Sequence, residues 1–416
     1  MIKVMSLAIR NLLRYKRRTL LTGLLIAVGV LAVIVFTGLS GSFKRAIVGQ
    51  ITDSVLSHLQ VHKKGYMASI DNLPLDRMIP EKPYKKLNET LSNSPGVEGF
   101  SPRIKFGAML SNFAQTTNVR LNGIDPEKEL TAVPLLPSRI KDPKDPDVLL
   151  TPGQVLLPEI LAKGMGVGTG DTVVLVANNR DGSVNGMTFE VAGVVESLMG
   201  PGGRDGYLHI DDAAALLRME TIEISEVAVR VTDFDALADV AGRINQALAP
   251  MVTPNGQPVF EVHTWQQLTP FYNVVRMIDL MTLGIKIILI AVVLISVLNV
   301  MIMSVYERVK EIGTLAAMGT QPSRIMALFV AEGFCLGLTG AAAGAVLGSG
   351  ALWILNLTGV EVAFGGAGQV FELAPSVTPG EVLSACVIVL LVSVIASLQP
   401  AAKAAALEPV DALRHV

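Results

Sequence analysis

Charge and cysteine are both scarce in this chain of 416 residues. Only 17% of its residues are Asp, Glu, Lys or Arg, against about 25% in an ordinary soluble domain, while 50% are hydrophobic. That balance points to a membrane protein. The two cysteines, Cys335 and Cys386, both fall inside apolar runs, which leaves no disulfide framework and no cysteine-based zinc site. A formal net charge of −2 supplies no basic field for nucleic acid. The dipeptide Gly-Lys occurs nowhere, so a Walker A phosphate loop is excluded.

What is present is a set of four uncharged stretches, 19–43, 287–306, 333–360 and 382–402, each longer than the ~18 residues that mark a bilayer-spanning helix. They predict an α-helical membrane protein with four transmembrane helices, at 19–43, 273–306, 325–355 and 382–402, and a large mixed α/β extracytoplasmic domain, 44–272, inserted between the first and second. The first stretch exceeds a signal-peptide core and is followed by no A-x-A-like site, so it is expected to be a retained anchor. Residues 1–18 carry six Lys or Arg and no acid, whereas the 356–381 loop carries Glu361, Glu372 and Glu381 and no base. The positive-inside rule then places both termini, the 307–324 loop and the 403–416 tail in the cytoplasm of a bacterial inner membrane, and 44–272 with 356–381 in the periplasm. Glu332 stands out, because a carboxylate inside a membrane helix has to snorkel, pair or face protein.

At 100° per residue Lys3, Arg10, Arg14 and Arg17 cluster opposite Ile2, Met5, Ile9 and Leu12, as in an amphipathic helix lying in the inner headgroup layer. A basic tail without fixed structure is the alternative. In the inserted domain, 55–61, 117–124, 171–177, 188–195, 207–210, 226–231 and 259–263 have strand composition, and 81–91 and 233–248 have helical spacing. Residues 178–183 are a hairpin signal, Asp211-Asp212 a helix N-cap pair, and the Pro-rich stretch 134–152 a seam between two subdomains.

Several motifs carry less than they suggest. The glycine-rich stretch 164–170 follows a helix and precedes a strand, opposite to the dinucleotide fingerprint, and reads as a turn. His58 and His62 share a strand face but lack a third metal ligand. No nucleophilic triad stands out, so the chain is expected to catalyse nothing itself and to hold no metal. Gly333, Gly337, Gly340, Gly344 and Gly348 recur every three or four residues, a small-residue stripe for close helix packing within or between chains. Residues 307–319 form a charged, glycine-closed short segment at the internal loop. It suits either a grip for a cytoplasmic partner or an ordinary turn.

Glu307-Arg308-x-x-Glu311-Ile312-Gly313 followed by Ala317-Met318-Gly319 resembles the coupling segment of ABC transporter permeases of the MacB and LolC/LolE type, within the FtsX-like superfamily. The N-terminal Ala8-x-Arg10-Asn11-Leu12-x-Arg14-x-x-Arg17-Arg18-Thr19 and the C-terminal Pro400-Ala401-x-x-Ala404 through Pro409-Val410-Asp411-Ala412-Leu413-Arg414 resemble the family's two ends. The resemblance implies a mechanotransmission permease that dimerises with an identical or homologous permease and binds two copies of a separate ATPase, which alone uses ATP and Mg; MacB proper fuses the two. Length and the Ser57-His58-Leu59-Gln60-Val61-His62-x-x-Gly65-Tyr66 segment favour the lipoprotein-releasing branch, with a periplasmic lipoprotein carrier or adaptor as a further partner. That branch implies a lipid-bearing cargo near Phe36, Leu39, Phe43, Met277 and Met281, residues that equally suit plain lipid or helix contact. Efflux with a periplasmic adaptor, or a non-transporting scaffold, are the alternatives.

Overall fold

The computed structural model describes the backbone of residues 2–197, 205–359, 361–363, 370–372 and 374–408, and the side chains of 5–197, 205–359 and 374–408. Two compact units emerge, one built from residues up to 46 and from 276 onward, the other from 47–275.

The first unit holds an N-terminal helix, Ile2–Arg14, four long apolar helices and a short one. TM1 runs Lys16–Ile51, TM2 Phe271–Glu307, TM3 Pro322–Thr358 and TM4 Pro379–Ala405, with an elbow helix, Val309–Ala317, between TM2 and TM3. All four long helices have the length and apolarity to cross a membrane. Each overruns the span expected from its apolar stretch, because the bilayer needs only about 20 residues while helical hydrogen bonding continues into the polar flanks. TM4 begins where Thr378 and Glu381 exchange capping bonds and Pro379 takes the first helical position, an arrangement that satisfies the free N–H groups of the first turn. Ile26, Val30 and Ile34 of TM1, Val293 and Val297 of TM2, Phe329 and Leu336 of TM3 and Val389 of TM4 form the core. Leu20, Ile288, Trp353 and Leu391 stay exposed, as lipid-facing positions do. The 356–381 loop contains a short antiparallel pair, Glu361–Ala363 with Val370–Glu372. Of the C-terminal motif, residues 409–414 lie outside the described residues.

The second unit is built on one mixed ten-stranded sheet: β1 Leu59–Lys63, β2 Val97–Ser111, β3 Thr116–Ile124, β4 Ile140–Lys141, β5 Gln154–Pro158, β6 Thr172–Asn178, β7 Val184–Val195, β8 Asp205–His209, β9 Glu226–Val231 and β10 Phe260–Thr264. The order is β10-β1-β9-β2-β3-β8-β5-β7-β4, with β6 beside β2 and β7. Pairing is antiparallel except for β3 with β8 and β5 with β7. Period-two alternation sorts the strands' side chains between two cores. Val155, Leu157, Val227 and Val229 meet Leu87 of helix Glu81–Ser92 and Ile244 of helix Leu237–Leu248 on one face. Leu156, Tyr207 and Ala228 meet Val133, Leu136 and Leu150 on the other.

Several expectations change here. Residues 52–56 close a helical turn, and Ser57, at φ 63, turns the chain into β1, so the strand starts later than position 55. Stretch 134–152 is no seam: it packs Leu136 and Leu150 onto a sheet that runs unbroken through the unit. The helix after β8 is capped by the His209 ring, which accepts from Asp211 N at 3.3 Å, rather than by the aspartates. The helix expected from 233 starts at Leu237. The longest strand, β2, had no sequence signal because Gly99, Pro102 and Gly107 interrupt its pattern.

Candidate functional site

The elbow helix is bounded by two backbone events. Arg308 leaves helical geometry at φ −113, ψ 16 and ends TM2. At the far end Gly319 adopts φ 82; its N–H reaches Ala316 O at 3.0 Å and Thr320 N–H reaches Leu315 O at 3.1 Å, a Schellman closure that needs the left-handed residue glycine supplies. Pro322 then opens TM3.

Polar side chains fasten this elbow on its inner side. Arg308 Nη1 donates to Glu332 Oε1 of TM3 at 2.8 Å, and Asn11 Nδ2 of the N-terminal helix donates to the same oxygen at 2.8 Å. Glu332 is 1% exposed and Arg308 5%. Arg308 Nε also donates to Glu311 at 3.0 Å, and its guanidinium lies 5.4 Å from the Phe329 ring centroid. Burial alone would lower the Arg308 pKa, but Glu332 and then Glu311 outweigh it and hold the group above its ordinary value. Outside this node Arg18 donates to Glu307 at 2.8 Å and to Ser304 Oγ at 2.7 Å, and Arg14 reaches Glu311 at 3.4 Å. Three acids, Glu307 at the end of TM2, Glu311 of the elbow and Glu332 of TM3, therefore meet Arg18, Arg14 and Asn11 of the N-terminal segment.

The expected coupling residues divide accordingly. Arg308, Ile312 and Gly313 point inward and are buried. Glu307 and Glu311 are part-exposed and paired within the chain; Glu311 is thus already engaged, where a carboxylate free for a partner's groove was expected. Ala317 and Gly319 lie on the open face with Lys310, Thr314 and Met318, the last 69% exposed. Glu332 carried a sequence signal, a carboxylate in a membrane helix, but neither Asn11 nor Arg308 could be named as its partner.

The glycine stripe packs within the chain. A Cβ at Gly333 or Gly337 would lie under 3 Å from Ser397 or Ser393 of TM4, and one at Gly340, Gly344 or Gly348 at 2.6–3.1 Å from Ile26, Val30 or Ile34 of TM1. At the other end of TM1, Lys44 holds both Asp279 oxygens of TM2 at 2.9 Å and Ser40 meets Thr282. Phe36, Leu39 and Phe43 are half-buried there, while Met277 and Met281 are exposed.

In the second unit His58 and His62 meet different partners. His58 Nδ1 accepts from Val231 N at 3.0 Å, whereas His62 is buried 3.5 Å from Glu226 and stacks on Tyr66. Among the described residues no group of three or more His, Cys, Asp or Glu could hold a metal. A trough of about 1140 Å³ opens between β2, β3, β6 and helix Glu159–Met165, lined by Met109, Arg120, Ile160 and Val184.

A bundle of membrane helices carrying one inserted α/β domain and an elbow tied to its N-terminal helix is the architecture of a membrane permease. Residues 19–247 match the MacB-like periplasmic core domain and residues 283–409 the FtsX-like permease C-terminal region, and the chain belongs to this family. The lipoprotein-releasing system transmembrane protein LolC of Neisseria meningitidis is 26% identical over 94% of this chain and 92% of its own length. The ABC transporter permease YknZ of Bacillus subtilis is 25% identical over 98% of each chain. The macrolide export ATP-binding/permease protein MacB of Agrobacterium fabrum is 22% identical over 96% of this chain and 58% of its own. The protein is thus an ABC transporter permease of the LolC/LolE/MacB type. Membership implies an ABC ATPase partner and paired permeases.

Proposed function

We propose that the chain extracts lipid-modified proteins from the inner membrane for transfer towards the outer membrane, driven through its elbow by a separate ATPase that supplies the ATP and Mg chemistry. The observation that carries the coupling role is the Asn11–Glu332–Arg308 node. A force on the elbow's open face is delivered through buried charge-assisted bonds to TM3 and the N-terminal helix together, in addition to the chain ends. Glu311→Lys replaces the acceptor of two guanidiniums with a like charge, and should cut substrate-stimulated ATP turnover in reconstituted complexes several-fold while the protein still inserts. Wild-type turnover and release in that variant would remove the elbow from the coupling role.

The cargo reading is supported by the likeness to LolC over 94% of this chain and by the exposed, adaptable side chains of Met277 and Met281 on TM2, the helix that Lys44 and Ser40 tie to TM1. Mass spectrometry of molecules copurifying with the assembled complex tests it: acylated proteins are expected, and a small-molecule cargo without them would favour MacB-like efflux. Orientation has its own test. In a background lacking Cys335 and Cys386, a cysteine at Asp181 should react with an impermeant maleimide in outer-permeabilised cells and one at Met318 should not. Labelling at 318 would reverse the topology.

A further inference from the structure

The N-terminal helix meets TM1 at a bend at Tyr15, where Thr19 Oγ1 donates to Leu12 O at 2.8 Å and Tyr15 O at 3.1 Å, and exposed cations lie on both sides of that bend. Helical hydrogen bonding persists through the turn at Tyr15, with Tyr15 N to Asn11 O at 3.3 Å and Thr19 N to Tyr15 O at 3.1 Å. Within TM1, at 100° per residue, Lys16, Arg17, Leu20, Leu24 and Val28 fall within about 120° of one another. Exposure follows that phase: Lys16 and Arg17 are exposed, as are Leu20, Leu24 and Val28, whereas Thr22, Ile26 and Val30 on the other side are buried. The cations along the segment divide into two sets. Arg14 and Arg18 face Glu311 and Glu307, but Arg10, Lys16 and Arg17 have no acidic partner among the described residues. From Arg17 to Val28 the helix rises about 16 Å, close to half of a ~30 Å hydrocarbon core, which is the depth of one leaflet.

We propose that this stripe is a binding site for an anionic phospholipid. The phosphate and acidic headgroup sit on Arg10, Lys16 and Arg17, and an acyl chain lies along Leu20, Leu24 and Val28. A soluble protein could meet the cations but could not follow the apolar half of the stripe into the bilayer. Arg14, one turn from Arg10 and paired with Glu311 at only 3.4 Å, is the group through which the headgroup bears on the elbow.

The test uses the full chain in symmetrical lipid discs of phosphatidylcholine containing a trace of spin-labelled phosphatidylglycerol or spin-labelled phosphatidylcholine, with the motionally restricted fraction as the readout. Symmetrical discs make the result independent of which side the N-terminus occupies, so its failure leaves the coupling role untouched. Wild type should prefer the anionic label several-fold, and the preference should fall as salt rises. Arg10→Gln, Lys16→Gln and Arg17→Gln combined should bring it close to one, with each cation contributing on the order of fivefold at most; Arg10→Lys with Arg17→Lys should retain it. Equal restriction of both labels by wild type, a preference indifferent to salt, or one that survives the triple variant would each overturn the proposal.

Discussion

Arg103→Met should cost the external domain about 3–5 kcal/mol, the scale expected when one partner of a buried ion cluster is removed. Arg103 lies on β2 and is 2% exposed, donating to Glu129 at 2.6 and 3.2 Å and to Glu226 of β9 at 3.1 Å, with Lys105 completing the cluster at 3.0 Å. Burial alone would raise the Glu226 carboxyl, but Lys105, the His62 contact and Arg103 together hold it well below the usual carboxylate range. In wild type, therefore, its contribution is present above the ordinary value of 4.5 and is lost as pH falls through the depressed folded value. The variant should behave oppositely. Glu226 keeps Lys105 but loses one of its two cations while burial still favours the neutral form, so the defect relative to wild type should shrink as pH falls from 7.5 to 5. Hydrogen exchange in β2 and β9 of the full-length protein measures both effects. A defect that stays constant over this range would mean that lost packing, rather than stranded charge, is the cause.

Gly344→Leu should damage the membrane unit more than any conservative change on a lipid-facing position. A Cβ there would sit 2.6 Å from the Ala27 carbonyl oxygen and 2.6 Å from Val30 Cβ. The first obstacle is backbone, so relief requires TM1 and TM3 to separate, with an overpacking cost of about 1–3 kcal/mol or more. Val346→Leu, at a side chain 73% exposed two residues along the same helix, is the matched control. Yields of monodisperse detergent-solubilised protein should differ severalfold. Equal yields would show that the TM1–TM3 contact can loosen freely.

Features that depend on composition over a long window were legible in the chain alone, and features that depend on pairing were not. Twenty uncharged residues have one low-energy arrangement in lipid, so the four membrane helices followed from the apolar stretches, and the three-and-four spacing of glycines marked a contact face. Which helices it contacts, TM4 at Gly333 and Gly337 and TM1 from Gly340 onward, is set by tertiary packing that the spacing does not encode. The β2 strand stayed hidden because its register is set by neighbours on both sides, which compensate for a proline and two glycines that weaken its own preference. The elbow's charges were visible, but Arg308 finds Glu332 across 24 positions and Asn11 finds it across 321. A carboxylate in a membrane helix announces the need for a partner without naming one. Glu311 illustrates the converse: local helix position suggested an open acceptor, and tertiary contact had already filled it.

The position of β1 in its sheet sets a schedule for biogenesis. It is the first strand of the external domain to cross the membrane, yet its two neighbours are β9 and β10, the last to arrive. At translation speeds of about 5–20 residues per second, β1 spends on the order of ten seconds or more with both of its edges unpaired. Export of the whole segment up to Thr264 thus precedes closure of the sheet, and insertion of TM2 follows within a few residues.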